Sequence, residues 1–192
     1  MTTTSAPPEV LKSRLDPGEH LIWWDRPRQG FLLRKADVFL IPFSLFWGGF
    51  VAFWEYSVVS TGGPTFFMLW GIPFIAVGLY MIAGRFFHDI WRRGRLFYGL
   101  TGSRVLIATP GSCRSIALEG LGEIQLEEGA GGVGSIAFGR EPMQRRVNGA
   151  GWSAWTGAPA IPTFERIAEA RRVHAAIREA QKKAARSAER TA

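Results

Sequence analysis

The sequence predicts a membrane helical hairpin followed by a small, mainly-β domain with an amphipathic helix at its C-terminal end. Three observations carry that expectation. Two stretches, Val38 to Trp54 and Phe66 to Gly84, each run for about 17 residues or a little more without a charge, close to the ~20 that cross a hydrocarbon core. From Leu96 to Phe138 the chain breaks instead into short runs divided by Gly and Pro, the pattern of strands and turns. Beyond it, Phe164, Ile167, Ala170, Val173, Ile177 and Ala180 recur at helical spacing, an apolar stripe with charges to either side.

The hairpin organises the rest. Between its arms lies only Glu55 to Thr65, with Gly62-Gly63-Pro64 to turn the chain. Neither arm has the polar stripe that a helix half-exposed to water shows. Arg26, Arg28, Arg34 and Lys35 precede the first arm, Arg85, Arg92, Arg93 and Arg95 follow the second, and the link has no Lys or Arg. Loops rich in Lys and Arg stay cytoplasmic, so both termini are expected inside and the turn outside. Most of Trp23, Trp24, Trp47, Trp54, Trp70 and Trp91 fall near the predicted membrane interfaces, where indoles concentrate. Trp47 and Trp70 sit deeper and do not follow that rule. Ser44, Gly48 and Ala52 share a helix face, and small residues so spaced let two helices approach closely. The partner is either the second arm or another copy, the second arm being the simpler expectation. Pro42 and Pro73 interrupt the helices locally. Asp37 and Glu55 are placed at the ends, so no ionisable group lies mid-span, which speaks against an ion pathway.

At 192 residues the chain has room for one small domain beside the hairpin. Its net charge of +7 is concentrated beside the spans, where topology accounts for it, so nucleic-acid binding is not expected. Attraction to an anionic inner leaflet is the better use of the charge. The candidate membrane-surface contacts are Arg85, Arg92, Arg93, Arg95, Lys182, Lys183 and Arg186. Cys113 is the single cysteine, and His20, His88 and His174 are scattered, which excludes an intrachain disulfide and disfavours a metal centre. The first residues lack the basic-then-apolar pattern of a cleaved signal, so the first span is expected to direct insertion itself.

Residues 1–14 open with a Thr/Ser/Pro run that has nothing to bury, and disorder is expected there. Residues 15–36 form a pre-membrane segment, with Asp16-Pro17-Gly18 as a turn, Leu21 to Trp24 as a strand or interfacial stretch, and Pro27 ending it. The hairpin takes 37–84 and a basic linker 85–95. The β domain with its helix takes 96–181, and 182–192 is a basic tail. Strands are expected near 96–100, 104–108, 113–118, 123–127 and 135–138, forming an antiparallel meander that closes into a barrel or sandwich. Met143 to Val147 and Trp152 to Thr156 are weaker strand candidates among glycines. Thr163 is placed as N-cap of a helix from about Phe164 to Arg186, with Glu165 favouring its positive end.

No chemical motif survives scrutiny. Gly129-Ala130-Gly131-Gly132-Val133-Gly134 matches G-x-G-x-x-G, but a strand follows where a dinucleotide site needs a helix. It is expected to be a hairpin. No G-x-S-x-G presents a nucleophile. His88 and Asp89 adjoin the membrane, Cys113 reads as a half-buried structural residue, and Glu119, Glu123, Glu127 and Glu128 read as a solvated face. No catalytic, cofactor or metal residue is assigned, and neither an enzyme nor a small-molecule substrate is expected.

The membrane hairpin followed by Tyr98-Gly99-Leu100-Thr101 and Arg104-Val105-Leu106-Ile107 resembles the bacterial pleckstrin-homology-like (PH) domain membrane proteins. Their signature runs Y-x-L-T-x-x-R-hydrophobic, matched by Tyr98, Leu100, Thr101 and Arg104. The Gly134-x-Ile136-x-Phe138 run, the closing helix and the opening Leu15-x-Pro17-Gly18-Glu19 with Trp23 and Pro27 are also similar. The resemblance covers about Leu15 to Ala180. Arg140 to Pro159 departs from it, being longer and richer in Gly. The resemblance implies a partly open barrel of about seven strands capped by one helix, in an inner membrane, without catalysis. The phosphoinositide-binding basic loop of eukaryotic relatives does not carry over, because Thr109-Pro110-Gly111-Ser112 has no Lys or Arg.

The function expected from the sequence is a membrane-anchored interaction module. It docks a protein partner or its own copies through an exposed strand edge or helix groove. The alternative is a domain responsive to anionic lipid, with a small membrane enzyme a distant third.

Overall fold

A computed structural model describes residues 6–34, 36–139, 159 and 161–191. Its described residues divide into two compact units, one of 30–34 and 36–90, the other of 6–29, 91–139, 159 and 161–191. The elements are α1 (Glu9–Lys12), β1 (Leu21–Asp25), α2 (Asp37–Ser60), α3 (Thr65–Gly94), β2 (Phe97–Thr101), β3 (Arg104–Thr109), β4 (Ser112–Ala117), β5 (Ile124–Glu128), β6 (Gly134–Phe138), β7 (Thr163–Ile167) and α4 (Ala170–Thr191).

The helical unit is the expected hairpin, with longer arms and a shorter turn. α2 has 24 residues and α3 has 30, both long and apolar enough to cross a membrane. Only 17% of the most apolar window of either helix is buried, and Phe39, Phe46 and Phe53 are each at least 70% exposed. A core helix of a globular domain would hide such residues. The predicted link from Glu55 to Thr65 contracts to Thr61 to Pro64. Ser57 lies within α2 and satisfies its hydroxyl by donating it to the Phe53 carbonyl at 2.8 Å. Gly62 then turns the chain at φ 66°, a conformation only glycine adopts without strain, and the Gly63 N–H donates to the Val58 carbonyl at 2.9 Å. A π-helical turn at Tyr80–Gly84 interrupts α3. Trp47 and Trp70 are explained by packing: each ring centroid lies about 6 Å from that of Phe74, and Trp70 stacks on Phe66 at 5.8 Å.

The β unit has two antiparallel sheets, in the orders β1-β2-β3-β4 and β5-β6-β7. The expected barrel is not closed. The five predicted strands of the meander appear within two residues of their predicted ends. The Gly-rich loop is the β5–β6 hairpin, where Gly131 and Gly132 take φ 70° and 73°. One core joins both sheets and α4: Tyr98, Leu100 and Val105 from the first sheet with Leu118 just after β4, Ile136, Phe138, Phe164 and Ile167 from the second, and Ala170, Val173, Ile177 and Ala180 from α4.

Three expectations are corrected. Residues 1–14 are not uniformly disordered, since α1 forms and Leu11 is fully buried with Leu106 and Ala108. A four-residue helix has no legible periodicity, and its stability comes from the sheet face it covers. Gly99 permits that approach, because a Cβ there would lie 2.9 Å from a Leu21 methyl and 3.5 Å from a Leu11 methyl. The pre-membrane segment is divided: residues 15–29 belong with the β domain, where β1 pairs with β2, Trp24 opposite Gly99. Finally, the terminal helix starts at Ala170, not Phe164, and Thr163 begins β7 rather than capping a helix. Phe164 completes an aromatic stack between Tyr98 and Phe138, at centroid distances of 4.6 and 4.9 Å. Burial there outweighs the helical spacing. The candidate strands at 143–147 and 152–156 lie outside the described residues.

Candidate functional site

Two features of the β unit bring together residues that stand far apart in the sequence. The first is a polar clamp. Arg104 Nε donates to Glu19 Oε1 and Oε2 at 3.0 and 3.2 Å, and its Nη2 reaches Glu19 Oε2 at 2.5 Å, Asp16 at 2.9 Å and the Arg14 carbonyl at 3.1 Å. The Thr101 hydroxyl donates to Glu19 Oε1 at 2.7 Å. The Arg104 guanidinium, with the Asp16 N–H and the Thr101 hydroxyl, holds the Glu19 carboxyl down at about 2. The same pairing raises Arg104. Thr101 and Arg104 thus act on Glu19 of the opening segment: stretches separated in sequence by the whole hairpin form one hydrogen-bonded cluster. Its groups satisfy each other, so the clamp is structural.

Tyr98 and Leu100, the remaining signature residues, are fully buried. The Tyr98 hydroxyl accepts the Glu165 N–H at 3.0 Å, and burial followed by the Glu165 charge pushes its phenol well above its ordinary value. Glu165 in turn receives Arg92 Nη2 on both carboxylate oxygens at 2.9 Å.

The second feature is a groove between β1 and α4. β1 is an edge strand, and its register shifts between Leu21 and Trp23, leaving Ile22 half exposed. Trp23 packs on Phe164 at 5.6 Å. With Val173 and Ala176 of α4 these residues line a groove of about 320 Å³, flanked by Glu169 and Arg172. Glu169 takes φ 51° and its carbonyl receives the N–H groups of Arg172 and Val173 at 2.8 and 3.1 Å, which starts α4 beside the strand. Arg172 pairs with Glu169 at 3.0 Å. Farther along α4, Lys183 pairs with Glu179 at 2.8 Å and holds that carboxyl below its usual range. The groove offers an apolar floor, a charged rim and a strand that is the last of its sheet among the described residues, a combination suited to an extended peptide.

The sequence-predicted surface residues are dispersed. Arg85 is 4% exposed and pairs with Asp37 at 2.6 Å. Arg93 is fully buried and donates to the Arg28 carbonyl at 2.7 Å. Arg92 is held by Glu165. These three are corrected from membrane-surface contacts to internal ones, because a guanidinium removed from water needs a partner. Arg95 is exposed, lying 4.7 Å over the Trp91 ring, and Lys182, Lys183 and Arg186 are exposed on α4. Of the small-residue face, Gly48 meets the second arm, where its Cβ would come within 2.8 Å of Ile82. Ser44 is buried and donates to the Ile41 carbonyl at 2.9 Å, whereas Ala52 is exposed. Cys113 is half-buried against Leu106 and Ala108. Among the described residues no group of three His, Cys, Asp or Glu side chains could hold a metal ion.

Sequence reasoning missed the groove, whose floor comes from residues about 150 positions apart. One signal was available, the apolar run Leu21 to Trp24 with no charge to protect a sheet edge. Compared with known proteins, the chain matches no family model, no curated protein and no solved structure.

Proposed function

We propose that the chain is a membrane-anchored, non-enzymatic docking module with a PH-like β domain. Its hairpin crosses the inner membrane with both termini cytoplasmic, and the β domain takes an extended segment of a protein partner in the β1–α4 groove. The observation that carries this reading is the edge strand β1, whose single charge, Asp25, stands at its very end. β4, β5 and β7 bear Arg114, Glu127 and Arg166, as sheet edges commonly bear charge. β1 presents Leu21, Ile22, Trp23 and Trp24 before its first charge at Asp25. Adding a strand there would use main-chain hydrogen bonds for affinity and the Trp23, Val173 and Ala176 floor for selectivity. Anchoring raises the effective concentration for partners in the same membrane.

The lipid-responsive alternative is weaker, since Arg85, Arg92 and Arg93 are occupied inside the protein and four of its seven candidate residues remain at the surface. The test is native electrophoresis of gently solubilised membranes holding the full chain, beside the purified protein. Ala176→Arg, which fills the groove with charge, should remove an assembly that the surface variant Arg114→Ala retains. Circular dichroism of both variants checks that the fold is kept. The same assembly formed by purified protein alone would assign the groove to a second copy. An assembly insensitive to Ala176→Arg, or none at all, would refute the proposal.

A further inference from the structure

Glu55 is out of place. It lies five residues before the end of α2 at Ser60, about 8 Å along the helix axis, and it faces the second helix. A Cβ at Gly71 would fall 1.7 Å from Glu55 Oε2, so this glycine makes the room for the carboxyl. Oε2 is removed from solvent and receives no hydrogen bond. An apolar-buried carboxyl oxygen without a donor is costly, and an ionisable group inside a membrane helix marks a site.

The surroundings say what would satisfy it. Glu55 and Tyr56 stand at one end of a groove of about 300 Å³ between the two helices. Its remaining walls include Gly48, Ala52, Ile75, Gly78 and Ile82, none of them polar. From Glu55 to Gly48 the groove runs roughly 10 Å toward the middle of the helix. It is therefore polar at the end near the turn and apolar in depth, the polarity of a single-chain amphiphile lying in one leaflet. Its volume is at the lower end of small-ligand sites, ~300–1,000 Å³. The missing partner is a hydrogen-bond donor, and a cationic N–H donor makes the strongest such bond to a carboxyl oxygen. A second copy of the hairpin cannot supply it, since Asp37 to Gly84 contains no Lys, Arg or His.

We infer that the groove between α2 and α3 binds a long-chain primary ammonium amphiphile, its N–H groups on the Glu55 carboxylate and its chain along Gly48, Ala52, Gly78 and Ile82. This inference rests on the hairpin being in a membrane, but not on docking at the β1–α4 groove.

The probe is radiolabelled dodecylamine, partitioned between neutral phosphatidylcholine nanodiscs with and without the full-length protein. Saturable binding of about one amine per chain is expected. Glu55→Gln should weaken it about tenfold or more, as loss of a charge-assisted hydrogen bond does. Ala52→Trp, at an exposed position that keeps the carboxyl, should weaken it by blocking the chain. Dodecyltrimethylammonium, which has charge but no N–H, should bind less tightly than the amine. Equal binding by wild type and Glu55→Gln, or no saturable binding, would overturn the site. So would a complex in extracted membranes that changes with Glu55→Gln while amine binding is absent, which would assign Glu55 to a basic membrane helix of another protein. Carbonate extraction separates the failures: protein retained in the pellet without amine binding refutes the site alone, and protein released refutes the anchor as well.

Discussion

Replacing Arg104 with Ala tests the clamp most directly. The Glu19 side chain is 11% exposed, so its stabilisation by Arg104 is not simply dissolved in solvent. Holding a carboxyl at about 2 instead of 4.5 corresponds to roughly 3 kcal/mol of folding free energy at neutral pH. Thr101, Ser103 and the Asp16 N–H stay on Glu19 in the variant, so about 2 kcal/mol belongs to Arg104. The sign follows from the depressed value. The stabilisation is fully present above 4.5 and is lost as pH falls toward 2, where Glu19 takes up its proton in the folded state as well. The assay is amide hydrogen exchange in β2 and β3 of the full chain in micelles, wild type against variant at each pH so that intrinsic rates cancel. At pH 7 the variant should exchange about thirtyfold faster, the factor that 2 kcal/mol sets for an opening equilibrium. The ratio should shrink steadily between pH 4.5 and 2. Arg104→Lys should recover part of the loss, keeping the charge but not the two-pronged geometry. A ratio near one at pH 7, or a large ratio that does not change with pH, would refute the ion-pair account.

Five other outcomes are expected. Tyr98→Phe leaves the buried Glu165 N–H without its acceptor and should destabilise the β unit by about 1–3 kcal/mol, seen as faster exchange at Glu165. In wild type Tyr98 should be silent in the 295 nm absorbance of tyrosinate up to pH 11, because its raised value protects the neutral phenol. Gly134→Val should cost about 2 kcal/mol or more, read by thermal melting, since a Cβ there meets the Glu127 carbonyl at 2.6 Å and the Ala170 methyl at 2.8 Å. Asp37→Asn removes the charge that pairs with the buried Arg85 guanidinium at 2.6 Å and should lower the melting temperature of the full chain, by up to the ~3–5 kcal/mol that breaking a buried pair costs. A phosphatase reporter inserted at Gly62 should be active and one fused after Ala192 inactive, and the reverse pattern would refute the topology.

Legibility followed the range of the interactions. The two long apolar helices were readable because apolar residues run all the way round them, leaving no stripe to average out. β5 and β6 were readable because Ile124, Leu126, Ile136 and Phe138 alternate with polar residues at the strand period. Where burial came from both sides the pattern failed: Val105 and Leu106 are adjacent and both fully buried, one in the shared core and one beneath α1. The boundary of α4 was misplaced for a related reason. Phe164 and Ile167 reach the core whether the backbone is a helix or a strand bent at Arg166, where φ is 49°, so spacing alone does not choose between them.

The basic residues beside the spans taught the same lesson. Four arginines after the second apolar stretch look equivalent in sequence, yet Arg85, Arg92 and Arg93 each find an internal acceptor while Arg95 stays outside. Glu55 went the other way, appearing to be a loop residue and proving to line an apolar groove. By itself the sequence determined where the chain is apolar enough to enter a membrane, where it turns, and which strands alternate, because those properties belong to neighbours along the chain. Which charges are used up, which sheet edge is bare and which carboxyl lacks a partner were decided only by the tertiary structure, since each depends on groups brought together from distant positions.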